Sequence, residues 1–313
     1  MSRVLPDAEC VLASDIDAKA QETYEANYGV RPVGDIRDIP LDSTLPTFSF
    51  LCAGFPCQAF SAAGKKQAFD DPRGTLFFDI LAIIDNAKPK TLLFENVANL
   101  VTINTGSVFN VILTELTNRG YHVSHCVLSP HQFGVPQSRN RVYIVASLDT
   151  QFDFSTLQSR NSQPSMTSIL ETDIPASSYL DPSKYVLLPE SQVKRQARTG
   201  MRFCGYIRGE LRKKGARENT EHLSRVHKQT ARIHDARGTH PTLSASETSG
   251  RYHIYDGKGV RKLTVVECYR LMDYPDDFVR NPTKGTAYRH IGNSVCVKVI
   301  EEIIREMVRQ GVL

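Results

Sequence analysis

One cysteine stands where a thiol could act as a nucleophile. Cys57 follows the apolar run 48–53, with Gly54 and Pro56 between them. Glycine permits a sharp turn and proline fixes the backbone φ angle, so the thiol would be presented just beyond the end of a strand. A thiol in that position can attack an electrophilic carbon and form a covalent intermediate. The alternative is a small buried hydrophobic residue, which is the usual role of a lone cysteine.

Two further groups of polar residues border apolar runs. Glu95 and Asn96 follow the run 91–94. Burial at the end of a strand would raise the pKa of the Glu95 carboxyl and let it hold a proton for transfer, whereas a loop or helix-capping carboxylate is the alternative. Arg139 and Arg141 are two residues apart at the start of another run, so on one strand they would point the same way. They would then orient a carboxylate and a carbonyl oxygen, or simply add surface charge.

Length and composition narrow the class of protein. The chain has 313 residues, a formal charge of +4, 41% hydrophobic and 23% charged residues, which is ordinary for a soluble globular protein of about two domains. No apolar run approaches the ~18 residues that span a bilayer, and the first ten residues show no signal peptide. The seven cysteines include no Cys-x-x-Cys pair, so we expect no zinc or redox site, free thiols and a reducing cytoplasm.

One segment carries most of the positive charge. Between 194 and 237, thirteen Lys or Arg stand against four Asp or Glu, a net charge of +9 in 44 residues. Such a block is either a solvated face or a surface for a polyanion such as nucleic acid. In the latter case we expect most of these cations to contact phosphate groups.

The elements that must position these residues alternate along the first 150 residues. Strands are predicted at 10–13, 48–53, 91–94, 123–128 and 141–147, and helices at 17–28, 75–86 and 108–116. This alternation predicts an α/β fold with a parallel sheet, whose functional residues lie at the carboxyl ends of the strands. Periodicity fails over 151–258, which predicts a loop-rich unit, and helices return at 263–272 and 294–309.

Five short motifs occur in an order that resembles the cytosine carbon-5 DNA methyltransferases of bacterial restriction-modification systems. They are Pro56-Cys57-Gln58, Glu95-Asn96-Val97, Gln137-x-Arg139-x-Arg141, the stretch from Thr264 to Pro275, and Gly292-Asn293-Ser294-Val295. The pair Thr242-Leu243 is similar to one in the family's target-recognition region. The resemblance implies a Rossmann-like S-adenosylmethionine-dependent methyltransferase sheet with a smaller loop-rich target-recognition domain. It assigns 1–150 and 259–313 to the catalytic domain and 151–258 to target recognition.

The resemblance also implies a mechanism. Cytosine carbon 5 is too weak a nucleophile to take a methyl group until a thiolate adds to carbon 6, and Cys57 would supply that thiolate. Glu95 would hydrogen-bond or protonate ring nitrogen 3, Arg141 would hold the carbonyl oxygen, and Arg139 would orient Glu95 or the thiol. The base must leave the duplex for this reaction, and the loop 58–74 would close over the DNA. The DNA contacts implied are Ser61, Lys65, Lys66, Arg73 and Thr242.

The methyl donor implied by the family is S-adenosylmethionine. Asp15 matches the residue that binds the ribose hydroxyls, Ile16 would lie against the adenine, and Asp35 and Ile36 match the pair that contacts the adenine edge. Pro56, Leu76 and Asn293 complete the family's pocket. The implied partners are double-stranded DNA and a cognate restriction endonuclease, and we expect a monomer.

One departure from the family concerns the start of the chain. The family opens with a strand and a glycine-rich turn, whereas no glycine precedes Cys10 here. A chain that begins at Met1 is therefore expected to bind the donor weakly or not at all. The alternatives are a truncated start, a split methyltransferase whose second polypeptide supplies the strand, or a catalytically impaired DNA-binding homologue. A zinc cytidine deaminase is excluded, because its Pro-Cys-x-x-Cys signature would need a cysteine where Phe60 stands.

Overall fold

The chain folds as two units. The computed structural model describes residues 3–56, 76–159, 163–209, 217 and 219–313. Within these, the first unit comprises 1–128, 140–158 and 299–313, and the second comprises 129–139 and 159–298. Residues 259–298 therefore pack with the predicted recognition region, although the sequence placed them in the catalytic domain.

A four-stranded sheet forms the centre of the first unit. Its strands are β1 (Phe50–Gly54), β2 (Thr91–Val97), β3 (His122–Leu128) and β5 (Arg141–Ser147), in the order β1-β2-β5-β3. β1 and β2 are parallel, whereas β5 is antiparallel to both β2 and β3. The expectation of a parallel sheet is thus wrong for β5, because β3 leads into β5 without the helical crossover that parallel strands need.

The helices here are α1 (Ala18–Tyr28), α2 (Leu76–Ala87), α3 (Ser107–Asn118) and α6 (Val297–Arg309), the last of which crosses the unit boundary at 298/299. Apolar residues recur at helical spacing and are buried in α2, α3 and α6, whereas α1 has no buried residue. Phe77 and Ile80 of α2 and Ile112 of α3 share one buried core with Phe94 of β2. The hydroxyl of Thr91 donates to the Val312 carbonyl, which ties the end of the chain to β2.

The N-terminal region differs from the prediction in one element. α1 has the expected ends, with Asp17 accepting from the Lys19 amide and Gly29 in the left-handed conformation. The predicted strand 10–13 is absent, however, and a single parallel bridge from Ser14 to Val33 stands in its place.

The second unit is built from short strands. One sheet has the order β11-β10-β8-β7-β6, and β4 pairs with β9 separately. Their bounds are β4 (Gln137–Ser138), β6 (Tyr185–Leu187), β7 (Phe203–Ile207), β8 (Arg232–Asp235), β9 (His240–Pro241), β10 (His253–Tyr255) and β11 (Val260–Lys262), and the helices are α4 (Val265–Arg270) and α5 (Lys284–Asn293). Across the described part of 148–264 no α-helix forms, which agrees with the loop-rich prediction, but the five-stranded sheet was not foreseen.

Candidate active site

The carboxyl end of β2 carries an ion pair. The Nε atom of Arg141 lies 3.0 Å from Oε1 of Glu95. The register brings them together, since Glu95 lies opposite Tyr143 and Val97 lies opposite Arg141 across the antiparallel pair β2–β5. Side-chain exposure is 17% for Glu95 and 14% for Arg141, so the charges are sheltered but reachable. Of the residues predicted to act on a substrate, the structure brings these two into contact.

β1 ends beside this ion pair. Gly54 lies in register with Glu95 of β2. A Cβ atom at Gly54 would lie 3.9 Å from Oε2 of Glu95, so the glycine keeps the space beside that oxygen open. The chain continues through Phe55 and Pro56, and Cys57 follows directly in sequence but lies outside the described residues. The last two described residues before the predicted nucleophile in sequence, Phe55 and Pro56, thus follow a strand end that lies beside Glu95.

Asn96 fixes that backbone. Its side-chain amide is buried and donates a 2.7 Å hydrogen bond to the Phe55 carbonyl, while its Oδ1 accepts from the Val97 amide. The sequence alone predicts no separate role for Asn96. The signal in the sequence is an asparagine directly after the catalytic candidate Glu95. Its hydrogen-bond partner, 41 residues away, is identified only by the folded structure.

Arg139 has a different environment from Arg141. Its terminal nitrogens donate to the carbonyl oxygens of Leu243, Gly292 and Ser294 at 2.9–3.0 Å. It precedes β5 rather than lying on it, so the i, i+2 alternation that would align it with Arg141 does not apply. These hydrogen bonds hold the segment around Asn293, and the expected role of Arg139 in orienting Glu95 or the thiol stays a prediction.

The pair Thr242-Leu243 is hydrogen-bonded to the segment that precedes β5. The Thr242 hydroxyl donates to the Ser138 carbonyl at 2.9 Å, next to the β4–β9 pairing. Gln137 is fully buried and donates to the Leu271 carbonyl. The other predicted DNA contacts, Ser61, Lys65, Lys66 and Arg73, lie outside the described residues.

Asp15 and Asp35, two of the predicted donor residues of the first unit, lie on neighbouring segments. The Asp15 amide donates to the Val33 carbonyl and the Ser14 hydroxyl to the Gly34 carbonyl, which brings Asp15 close to the segment that leads to Asp35. Asp15 also accepts from the Asp17 amide through Oδ1. Two carboxylates that accept hydrogen bonds, set beside apolar surface, fit a ligand that combines ribose hydroxyls with an adenine ring.

Ile16 supplies exposed apolar surface next to Asp15 in sequence. Ile16 is 78% exposed, although it is a large hydrophobic residue. Leu76 and Ile36 are partly buried, and Pro56 is exposed. Asn293, the remaining residue predicted to bind the donor, is an exposed residue of the second unit.

Part of the positive charge in 194–237 is used inside the second unit. Arg202 and Arg237 both pair with the buried Asp235 and the exposed Glu190. Arg195 donates to the carbonyls of Arg237 and Pro164. These cations stabilise the unit, so the expectation that most of the block contacts phosphate groups applies to its exposed members, such as Lys194, Arg198, Arg225 and Lys228.

A family model described as C-5 cytosine-specific DNA methylase matches residues 3–309. The chain belongs to this family. The family methylates carbon 5 of cytosine in DNA and depends in general on S-adenosylmethionine, so the chain is a DNA cytosine-5-methyltransferase by class.

Curated relatives agree with the C-5 cytosine methylase assignment. Type II methyltransferase M.HhaI of Haemophilus parahaemolyticus is 36% identical over 304 residues, covering 95% of this chain and 86% of the relative. Type II methyltransferase M.HaeII of Haemophilus aegyptius is 37% identical over 298 residues, covering 95% and 85%. The crystal structure of S. pombe Dnmt2 methyltransferase has a similar fold, with a TM-score of 0.70 at 21% identity, covering 100% of this chain and 94% of that one.

Membrane-spanning helices and metal-binding clusters are both absent from the described residues. No helix among them is long and apolar enough to cross a membrane. No group of three or more His, Cys, Asp or Glu in the same residues is arranged to hold a metal ion.

Proposed function

We propose that this chain methylates carbon 5 of a flipped-out cytosine in a specific duplex DNA sequence, through a covalent bond to Cys57. The observation that carries the proposal is the Glu95–Arg141 ion pair beside the end of β1, from which the backbone leads to Cys57. Type II methyltransferases among the relatives support duplex DNA as substrate and a cognate restriction endonuclease as partner.

The first chemical step is addition of the Cys57 thiolate to cytosine carbon 6. The S–C6 bond forms as the electron pair of the C5–C6 double bond is displaced into the ring, which makes carbon 5 nucleophilic. Glu95 acts in this step as the protonated carboxyl, since the carboxylate of the ion pair can only accept hydrogen bonds. It donates a hydrogen bond or its proton to ring nitrogen 3, so negative charge does not accumulate there. Arg141 holds the carbonyl oxygen of the base and, through its ion pair, orients Glu95.

Bound S-adenosylmethionine would supply the methyl group that carbon 5 takes up. Asp15 would hold its ribose, while Ile16, Asp35 and Ile36 would contact its adenine. Solvent water then takes the proton from carbon 5, whose electron pair restores the C5–C6 double bond as the C6–S bond breaks and releases the Cys57 thiolate. A proton given to ring nitrogen 3 returns to Glu95. The reaction requires the cytosine to leave the base stack of the duplex, because a stacked cytosine exposes neither face of its ring to a thiol.

Covalent trapping tests the role of Cys57. Duplex DNA containing 5-fluorocytosine should stall the reaction as a stable adduct, since fluorine cannot leave as the proton does. Wild-type protein with donor should form this adduct, and Cys57→Ser should not. Cys52→Ser is the matched control, because Cys52 is a cysteine of the same segment, on β1, and its variant should still form the adduct.

Bisulfite sequencing of DNA from cells that express the protein measures the product itself and identifies the sequence methylated. Unchanged methylation by Cys57→Ser would refute the covalent mechanism. DNA binding without methylation or adduct in the wild type would instead identify a catalytically impaired DNA-binding homologue.

A second variant tests Glu95 separately. Glu95→Gln keeps the shape of the side chain but removes its charge and its transferable proton. Loss of a positioned general acid typically slows a reaction about 10²–10⁴-fold, and we expect methylation to slow within that range while DNA affinity is kept. Glu115→Gln, which removes a surface carboxylate paired with Arg119, should leave the rate unchanged.

A further inference from the structure

The carboxylate proposed to contact the donor adenine already has a partner. Oδ1 of Asp35 accepts from the backbone amide of Arg37 at 3.0 Å and from its Nε at 2.9 Å, and Oδ2 pairs with Nη2. Both oxygens are thus engaged by a single arginine. This arginine holds the pKa of Asp35 at about 2, so the carboxylate is ionised and paired at neutral pH.

A second carboxylate lies close to the same arginine. Asp79 is on α2, and α2 packs against the segment Ile36–Asp38 that contains Arg37. Its Oδ2 atom is enclosed and has no hydrogen-bond partner among the described residues. Burial raises the pKa of Asp79, while the positive charge of Arg37 lowers it and the negative charge of Asp35 raises it, so both charges act on this carboxyl.

Asp79 also lies on the same face of α2 as Leu76. Leu76, which is proposed to line the donor pocket, precedes it by three residues on α2. Residues three apart on a helix are neighbours on one face. Burying a carboxylate oxygen without a hydrogen-bond partner costs free energy. An ion pair with a nearby cation would lower that cost for Asp79.

We propose that Asp79 is a positioning residue that takes over Arg37 when the donor occupies Asp35. Without donor, Arg37 pairs with Asp35. When the adenine amino group engages Asp35, Arg37 turns to Asp79, so that release of the first pair is offset by formation of the second. The inference rests on the proposed function, because it takes Asp35 as a donor contact.

If Asp35 and Asp79 share Arg37, the effects of substituting Asp79 and Arg37 on donor binding should depend on each other. Asp79→Asn removes the alternative partner, so donor binding must break the Asp35–Arg37 pair without compensation. Arg37→Gln removes the pair itself, so binding no longer has to break it. The effect of Asp79→Asn should therefore be present with Arg37 and absent without it.

The experiment measures the dissociation constant of S-adenosylhomocysteine for wild type, both single variants and the double variant, by ligand-observed NMR suited to weak binding. Asp79→Asn should weaken binding about threefold, as expected for a partly exposed ion pair. In the Arg37→Gln background the same change should have no effect. Asp85→Asn is the matched control on α2, since Asp85 pairs with Arg119 instead, and it should bind like the wild type.

Thermal unfolding of the same proteins separates positioning from a structural role. Asp79→Asn should unfold at the wild-type temperature or higher, because the amide carries no charge to be buried. Equal weakening of binding with and without Arg37 would overturn the sharing, as would unchanged binding in Asp79→Asn. If the wild type itself does not bind S-adenosylhomocysteine, the proposed donor site fails and the sharing fails with it.

Discussion

The side-chain amide of Asn96 donates a 2.7 Å hydrogen bond to the carbonyl oxygen of Phe55, across 41 residues of sequence. Both residues are buried, and they join the ends of β1 and β2. The bond therefore links the strand that carries Glu95 to the backbone that leads to Cys57.

Asn96→Ala should lower both the free energy of unfolding and the rate of adduct formation. It leaves the buried Phe55 carbonyl without this donor, which costs about 1–3 kcal/mol of unfolding free energy. Urea unfolding followed by circular dichroism measures that loss, and adduct formation on 5-fluorocytosine DNA should slow as well. Asn86→Ala removes a hydrogen bond of the same length to the exposed Leu41 carbonyl and should cost much less. Equal losses for the two variants would contradict a special role for Asn96.

Arg139 gives a second prediction, which separates a structural from a catalytic role. Arg139→Ala leaves three carbonyl oxygens without their charged donor, so we expect the unfolding free energy to fall by about 3 kcal/mol or more. Arg195→Ala is the control, because Arg195 also donates to two backbone carbonyls of the same unit but at a more exposed position. If Arg139→Ala keeps the wild-type stability and loses methylation, the residue acts in catalysis as the sequence first suggested.

The contrast between Arg139 and Arg141 shows where sequence reasoning succeeds and where it stops. β2 and β5 were located closely because both are continuous apolar runs, and Glu95 and Arg141 were placed at their ends. The partners of Arg139 lie 104 to 155 residues away in sequence, and no local pattern encodes such contacts. The same holds for the partner of Asn96.

The errors in the fold have a physical cause as well. Strand direction is not visible in an apolar run, so the sequence predicts a parallel β5 where the structure has an antiparallel one. The strands of the second unit are two to five residues long and too short to show a period of two. The segment 10–13 has strand-like composition, yet it makes one bridge only, through the neighbouring Ser14.

Two buried histidines predict how stability depends on pH. The rings of His234 and His240 lie 5.7 Å apart in the second unit, and neither nitrogen of His234 has a hydrogen-bond partner among the described residues. Burial, with positive charge on His240 and Arg232, lowers the pKa of His234 well below 6.5, and burial lowers the pKa of His240 to about 4. Because both pKa values are lower in the folded state, the unfolded chain binds protons more readily, so stability is full above pH 6.5 and falls as the pH drops towards 4.

Urea unfolding at several pH values tests this dependence. Below its ordinary pKa, each histidine should lower the free energy of unfolding by about 1.4 kcal/mol per pH unit. His234→Phe should make the acid-side slope shallower by about that amount and keep the aromatic packing against Phe203. His222→Gln, at an exposed position, should keep the wild-type slope. An unchanged slope in His234→Phe would show that the pKa of His234 is the same in the folded and unfolded states.

Gly292 gives the last prediction, because backbone approaches it too closely for any side chain. A Cβ atom there would lie 2.4 Å from the amide nitrogen of Ala245. Gly292→Ala must therefore move the segment next to Asn293, whose neighbouring carbonyls are held by Arg139, and we expect a loss of about 2 kcal/mol or more in unfolding free energy. Gly285→Ala on the same helix meets nothing closer than 3.4 Å and should be neutral or stabilise by up to about 1 kcal/mol, because alanine favours helix. Donor affinity measured alongside should fall for Gly292→Ala alone if Asn293 contributes to the donor pocket, whereas equal affinities would remove Asn293 from it.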